Sequence, residues 1–281
     1  MNAREIAARH GLRQVRRGEW RGHCPNLACG YKNGLTLSES GGRLLWVCSS
    51  CRDQEAVGRA LLGDAAPSRA EHAGAPAPRQ DRRAAVRALA ERARPSPIID
   101  TYWQARGGRM RVPPSAPLLY LAAAKHPSGK RLPCMVALLH DLAGELVALH
   151  RTFLAPGGTG KAAVEPVRMT LGDVRGAAVR LHPVAPHLVV GEGIETTLAA
   201  SELLCLPAWA ATSAGNLAEA MALPPEVRTV TIAADNDAPG RRAAREAAAR
   251  WRAEGRTVRV AMPDKPGADF NDVLRERVAH G

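Results

Sequence analysis

The chain of 281 residues is poor in aromatics, which make up 4% of it, with two phenylalanines and three tyrosines. It contains no run of about 18 apolar residues, so no membrane span is expected. The opening "MNAREIAARH" is charged throughout and lacks the apolar segment of a secretory signal. Six cysteines in a chain of this length do not make a secreted disulfide scaffold. Four of them cluster, which points to a metal in a reducing, cytoplasmic setting. A phosphate-binding loop is also missing: "APGGTGKA" lacks the first glycine at the required spacing, and "KAAVEPVRM" completes no such loop.

Positive charge is abundant. The net charge is +12 and the isoelectric point about 10.2. A balance this basic favours a polyanionic partner, and nucleic acid is the usual one. The apolar fraction of 46% suits a globular protein.

Texture divides the chain into four stretches. Residues 1–62 hold the cysteine cluster. Residues 63–82 are rich in Ala, Pro and Arg without apolar periodicity and read as a linker. Residues 83–180 form a mixed α+β, basic region. It starts with a helix in "RRAAVRALAERA", and two strand-like runs, "CMVALLHD" and "LVALHRTFL", flank the turn "LAGE". Residues 181–281 alternate strand and helix: "HLVVGEG", "ETTLAASELL", "AWAAT", "NLAEAMAL", "TVTIAADND", "GRRAAREAAARWRAEG", "TVRVAMP" and "DFNDVLRERV". That rhythm predicts an α/β fold with a mainly parallel sheet covered by helices. Functional groups in such sheets gather at the carboxyl ends of the strands.

Cys24 and Cys29 lie in "CPNLACG", and Cys48 and Cys51 in "CSSC". Two such knuckles joined by a hairpin in "GLTLSESGGRLLWVC" can give four thiolates to one tetrahedral Zn²⁺. The first knuckle has a longer gap than the usual two residues, so its turn is looser and His23 is an alternative ligand. A closed four-ligand site has no open position, which makes the zinc structural. Free thiols, or a redox pair at Cys48 and Cys51, are the competing reading. Cys134 and Cys205 stand alone in apolar segments and read as buried packing residues.

At the sheet edge, Glu192 follows the strand "LVV", while Asp235 and Asp237 follow "TIAA". Three carboxylates converging on one edge repel one another unless a cation lies between them. Oxygen-only ligands select Mg²⁺ or Mn²⁺. The plainer alternative makes one aspartate the cap of the helix near Pro239. Asp269 of "GADFND" extends the acidic set, and Asp272 is either a further member or a first-turn residue of the last helix.

"VVGEGIET", "IAADNDAPG" and "GADFND" together resemble the Toprim domain over roughly residues 185–275. This domain is shared by bacterial-type primases, type IA and II topoisomerases and some nucleases. The resemblance implies that Glu192, Asp235 and Asp237 are the catalytic, metal-binding carboxylates. The cysteine cluster resembles the zinc ribbon of bacterial-type primases, with Cys24 and Cys29 in place of that family's Cys-x2-His. The middle block resembles the core upstream of the primase Toprim part, which implies that Arg151 and Arg168 face template or nucleotide phosphates; Lys161 is a further candidate for holding them. Zinc ribbon, basic middle and Toprim in that order are the layout of a compact primase of mobile-element type.

The function so implied is RNA-primer synthesis on single-stranded DNA from nucleoside triphosphates, with a replicative helicase as a candidate partner and Trp46 as a stacking face for template. The middle block is shorter than in replicative primases, and no helicase-binding segment is expected. A Toprim nuclease using the same carboxylates is the main alternative, and a non-catalytic DNA-binding accessory protein is a third. Only Tyr31, Tyr102 and Tyr120 are available as strand-cleaving tyrosines, which argues against a topoisomerase.

Overall fold

The computed structural model describes residues 2–16, 18–27, 29, 34–40, 42–48, 53–63 and 82–280. Cys51, Tyr31 and nearly all of the expected linker lie outside the described residues. The chain divides into two compact units, Met1–Gln80 and Asp81–Gly281.

In the first unit, helix α1 (Ala3–Arg9) starts at a capping box. Asn2 accepts from the Glu5 amide, and Glu5 accepts from the Asn2 amide. Strands β1 (Arg13–Arg16), β2 (Glu19–Gly22), β3 (Leu35–Ser40) and β4 (Arg43–Cys48) pair antiparallel in that order. Helix α2 (Gln54–Leu62) follows, capped by Asp53. The β3–β4 hairpin expected from the alternating pattern is present, with Ser40 paired to Arg43. Its inner face packs Leu35, Leu37 and Trp46 against Ile6, Val57 and Leu61.

Trp46 is therefore a core residue and not a stacking face. It is 6% exposed, and its indole N–H donates to the Gln54 carbonyl. Strand alternation explains this: Leu45 and Val47, its neighbours, are the side chains that point outward.

The second unit stacks two sheets. Helices α3 (Arg83–Ala90) and α4 (Ile98–Ala105) lead into β5 (Leu118–Lys125), β6 (Arg131–His140), β7 (Leu146–Phe153) and β8 (Arg168–Gly172), an antiparallel sheet in sequential order. Strand β9 (Val179–Arg180) then joins a second sheet with β10 (His187–Gly191), β11 (Ala208–Ala210), β12 (Thr229–Ala233) and β13 (Thr257–Ala261). Its order is β13-β12-β10-β11-β9. All neighbours are parallel except β9, which pairs antiparallel with β11. The crossover helices are α5 (Ile194–Leu204), α6 (Ala214–Glu219) and α7 (Ala238–Ala253), and α8 (Phe270–His280) closes the chain.

Alternation along β10 sends Val189 into one core and Leu188 and Val190 into another, so the parallel sheet is buried on both faces. The first of these cores also takes Met135, Ala137 and Ala148 from the antiparallel sheet. The opposite face of that sheet, with Cys134, Val136, Leu149 and Phe153, is covered by Val86 of α3. Cys134 is buried as expected. Cys205 is not: it is exposed, because it closes α5 in a left-handed surface turn with φ 53°. Among the described residues no helix is long and apolar enough to cross a membrane.

Candidate functional site

The carboxyl ends of the parallel strands bring the acidic residues together. Gly191 of β10 is in register with Ala233 of β12, so Glu192 leaves the sheet beside the segment carrying Asp235. Asp237 is the N-cap of α7, and its Oδ1 accepts from the Gly240 amide at 2.7 Å. Gly240 is required there, since a Cβ would lie 2.5 Å from the Asp235 carbonyl and 3.0 Å from Asp237 Oδ1. Asp269 and Asp272 exchange backbone contacts: the Asp269 amide donates to Asp272 at 3.2 Å, and the Asp272 amide donates to Asp269 at 2.9 Å. Asp272 is thus a first-turn residue of α8. Thr212, whose amide donates to the Glu192 carbonyl, holds φ at 64°, an outlier for a β-branched residue.

These carboxylates feel one another. Burial, reinforced by Glu192, Asp269 and Asp237, pushes the Asp235 carboxyl up to about 7. Burial and the charge of Asp237 raise Glu192 also, while Arg168 and the Ala214 amide oppose the rise. The Asp235 Oδ1 is buried and finds no hydrogen-bond partner among the described residues. A buried orphan oxygen inside a crowded anionic cluster is the arrangement a hard cation would complete.

The acidic groups do not all close around one point. Among the described residues, the one set of three Cys, His, Asp or Glu ligand atoms mutually within 4.8 Å is the thiol set of Cys24, Cys29 and Cys48. The carboxylates fit Mg²⁺ held by one or two of them, with substrate phosphates supplying further oxygens.

The thiols fit zinc directly. Cys29 Sγ and Cys48 Sγ are 3.7 Å apart. A tetrahedron with Zn–S bonds of about 2.3 Å has an edge of about 3.8 Å. His23 is exposed and stands outside this set.

Facing the acidic edge is the inner surface of the antiparallel sheet. His150 pairs with Thr170, and Thr152 with Arg168, so Arg168 and His150 share one face. The charge of Arg168 lowers Asp235, Glu192 and Glu195 alike, which puts it among them. Arg151 lies between His150 and Thr152 and points to the opposite face, against Met169 and Cys134. Arg168 therefore meets the acidic edge, Lys161 stands at Glu195 beside it, and Arg151 faces away.

Three residues of this region carry no expectation from sequence: Glu195, Tyr102 and His150. Glu195, in the first turn of α5, is buried. Its Oε1 accepts from the Tyr102 hydroxyl at 2.6 Å and pairs with the Lys161 ammonium at 3.0 Å. Burial alone would raise this carboxyl. Lys161, Arg168, the Tyr102 hydroxyl and its own amide overcome burial and hold it at about 2. Burial and the same carboxylate push the Tyr102 hydroxyl well above its usual range, so the shared proton stays on the tyrosine. Burial holds His150 near 4, and its Nδ1 has no partner among the described residues. The imidazole is neutral at pH 7.

Residues 187–280 match the family model of the Toprim domain, in agreement with the resemblance carried by "VVGEGIET", "IAADNDAPG" and "GADFND". Residues 80–181 match a domain of unknown function (DUF7146). No curated protein matches the chain. Among solved structures it is similar to the Aquifex aeolicus primase (zinc binding and RNA polymerase domains), at 13% identity and a TM-score of 0.49, over 100% of this chain and 82% of that one. It is also similar to a DNA primase domain from Pseudomonas aeruginosa, at 16% identity and 0.46, over 69% and 74%. The primase fragment of the bacteriophage T7 primase-helicase protein is a third, at 19% and 0.40, over 59% and 66%.

Proposed function

We propose, on the premise of a Toprim domain over residues 187–280, that this chain is a DNA primase-like nucleotidyltransferase making short RNA primers on single-stranded DNA. The observation that carries this reading is the meeting of Glu192, Asp235, Asp237 and Asp269 with the cation Arg168 at one sheet edge. Carboxylates for a hard cation, opposed by a guanidinium, suit a phosphoryl group that gains charge during transfer.

In this reading Mg²⁺ or Mn²⁺ is held by one or two carboxylates of the set Asp235, Asp237 and Glu192 together with substrate phosphates, and when bound it polarises the phosphoryl oxygens and neutralises developing charge. Asp269 adds negative charge beside Asp235. Arg168 contacts phosphate oxygens, with Lys161 beside it, and its planar fork fixes their orientation. Arg151 is left out of this role, since it faces Cys134 and Met169. The thiols of Cys24, Cys29 and Cys48, with Cys51, hold a structural zinc, and the basic charge of the chain attracts the template.

The test is incubation with single-stranded DNA, labelled nucleoside triphosphates and Mg²⁺ or Mn²⁺. Short labelled oligomers, lost in Asp235→Asn, are the expected product. Shortened DNA would assign the same site to hydrolysis. Neither product, from protein that binds DNA and retains its fold, would overturn the catalytic reading altogether.

A further inference from the structure

Three segments far apart in the chain converge on one oxygen. Tyr102 comes from α4, Lys161 from the loop between β7 and β8, and Glu195 from α5. The pair joins the segment matching the domain of unknown function to the Toprim segment. Buried ion pairs are weak sources of stability, because desolvation offsets most of the attraction. An apolar contact would close this junction as well, so the pair needs a different reason to be there.

The asymmetry of the pair supplies one. The Glu195 side chain is 8% exposed and that of Lys161 is 27% exposed. The carboxylate is buried at the root, and the ammonium stands at the rim. An ammonium has three donors, and Glu195 takes one. The loop bearing Lys161 is itself fastened. Leu154 and Lys161 form a bridge, the Ala155 amide donates to the Gly160 carbonyl, and the Ala155 carbonyl accepts from the Gly158 amide. Gly158, at φ 78°, lies so close to α4 that a Cβ would meet Ile98 at 2.8 Å. The loop thus rests on the helix that presents Tyr102.

We propose that Glu195 is a positioning residue for Lys161: it fixes the ammonium beside Arg168, so that its remaining donors take the phosphates of a nucleoside triphosphate. This inference rests on the reading that the acidic edge handles nucleotides. A free lysine has a flexible stem and loses rotamer freedom on binding phosphate. Holding it in place moves that cost from binding to folding, which is preorganisation. Tyr102 donates to the same Oε1 that meets the ammonium, so its hydroxyl keeps that oxygen aimed at Lys161. His150 is neutral and adds no competing charge on this face.

The experiment is equilibrium binding of ATP and of inorganic tripolyphosphate to the full chain, with Mg²⁺ present and no template. The variants are Glu195→Gln, Lys161→Met, their combination, and Glu195→Asp. Lys161→Met should weaken binding by about tenfold or more, the usual cost of one charge-assisted contact. Glu195→Gln should weaken it nearly as much, and the double variant should be no worse than Lys161→Met alone. In primer synthesis the KM for nucleotide should rise while kcat at saturation stays within about twofold, a split that a mere loss of packing does not produce.

Equal affinities for wild type and Glu195→Gln would overturn the proposal, as would single effects that multiply in the double variant. If Glu195→Gln does not fold, Glu195→Asp, which retracts the same charge by one methylene, reads the same outcome. Binding of tripolyphosphate reads Lys161 without primer synthesis, which keeps this proposal apart from the catalytic reading. A wild type that binds triphosphate but makes no primers would therefore sink that reading alone.

Discussion

Asp235 holds a proton that it would lose in water. In the unfolded chain it titrates near the ordinary aspartate value of about 4. In the folded protein burial and its acidic neighbours bring it to about 7. Between these limits the folded state binds a proton that the unfolded state has released, so stability falls as pH rises through the window. Asp235→Asn removes the titration. Without added divalent cation, the variant should match the wild type near pH 4 and exceed it in stability by pH 8. Denaturant unfolding across that range checks this, and parallel profiles for the two proteins would show that Asp235 is not crowded. Glu195, only three positions past Glu192, behaves in the opposite way, because cations and not carboxylates surround it. Sequence alone offered no way to separate the two. An acid in the first turn of a helix reads as a favourable dipole partner. The Tyr102 that explains Glu195 lies 93 residues away. By contrast Glu192, Asp235 and Asp237 were legible, because each follows a run of buried strand residues at the edge where such sheets place their chemistry.

At the level of elements, what was legible depended on periodicity. The runs "LVV" and "TIA" are continuous because strands β10 and β12 are covered on both faces, and each opens into a helix. Strand β5 shows no such signal: its register breaks between Leu121 and Ala124, and exposed residues interrupt it. The β1–β2 hairpin was hidden as well, since its four-residue strands carry Arg and Glu and slip in register between Gln14 and Arg16. Asp237 shows how one element can serve two ends, as both readings of it from sequence apply to the same side chain. It caps α7 through Gly240 and adds charge to the acidic edge. Substitution separates the roles. Asparagine caps about as well as aspartate, whereas alanine caps poorly. Asp237→Asn should abolish catalysis with stability unchanged, and Asp237→Ala should abolish it while costing about 1 kcal/mol. Thermal melts beside the primer assay decide this. If Asp237→Asn works at the wild-type rate, Asp237 is only a cap.

Over the whole molecule, the two units draw their stability from different sources. The unit Asp81–Gly281 has two sheets and three buried clusters to hold it. Among its described residues the unit Met1–Gln80 has one small cluster, and three of its buried members are Cys24, Cys29 and Cys48. A core of that size supplies little net stability, and domains this small commonly depend on a metal or a disulfide. Structural zinc contributes about 10–16 kcal/mol of binding energy at neutral pH, as much as the whole stability of a typical domain. Removing it should therefore unfold the first unit while the second stays folded. Purified protein should carry about one zinc per chain by the four-thiolate argument. After treatment with a strong chelator, limited proteolysis should degrade residues 1–62 and leave a resistant fragment that starts close to residue 82. Cys48→Ser should give the same pattern without chelator, because it removes the thiol 3.7 Å from Cys29. Residues 1–62 that stay protease-resistant after complete loss of zinc would mean that the apolar cluster of Ile6, Leu35, Leu37 and Trp46 holds the unit without metal.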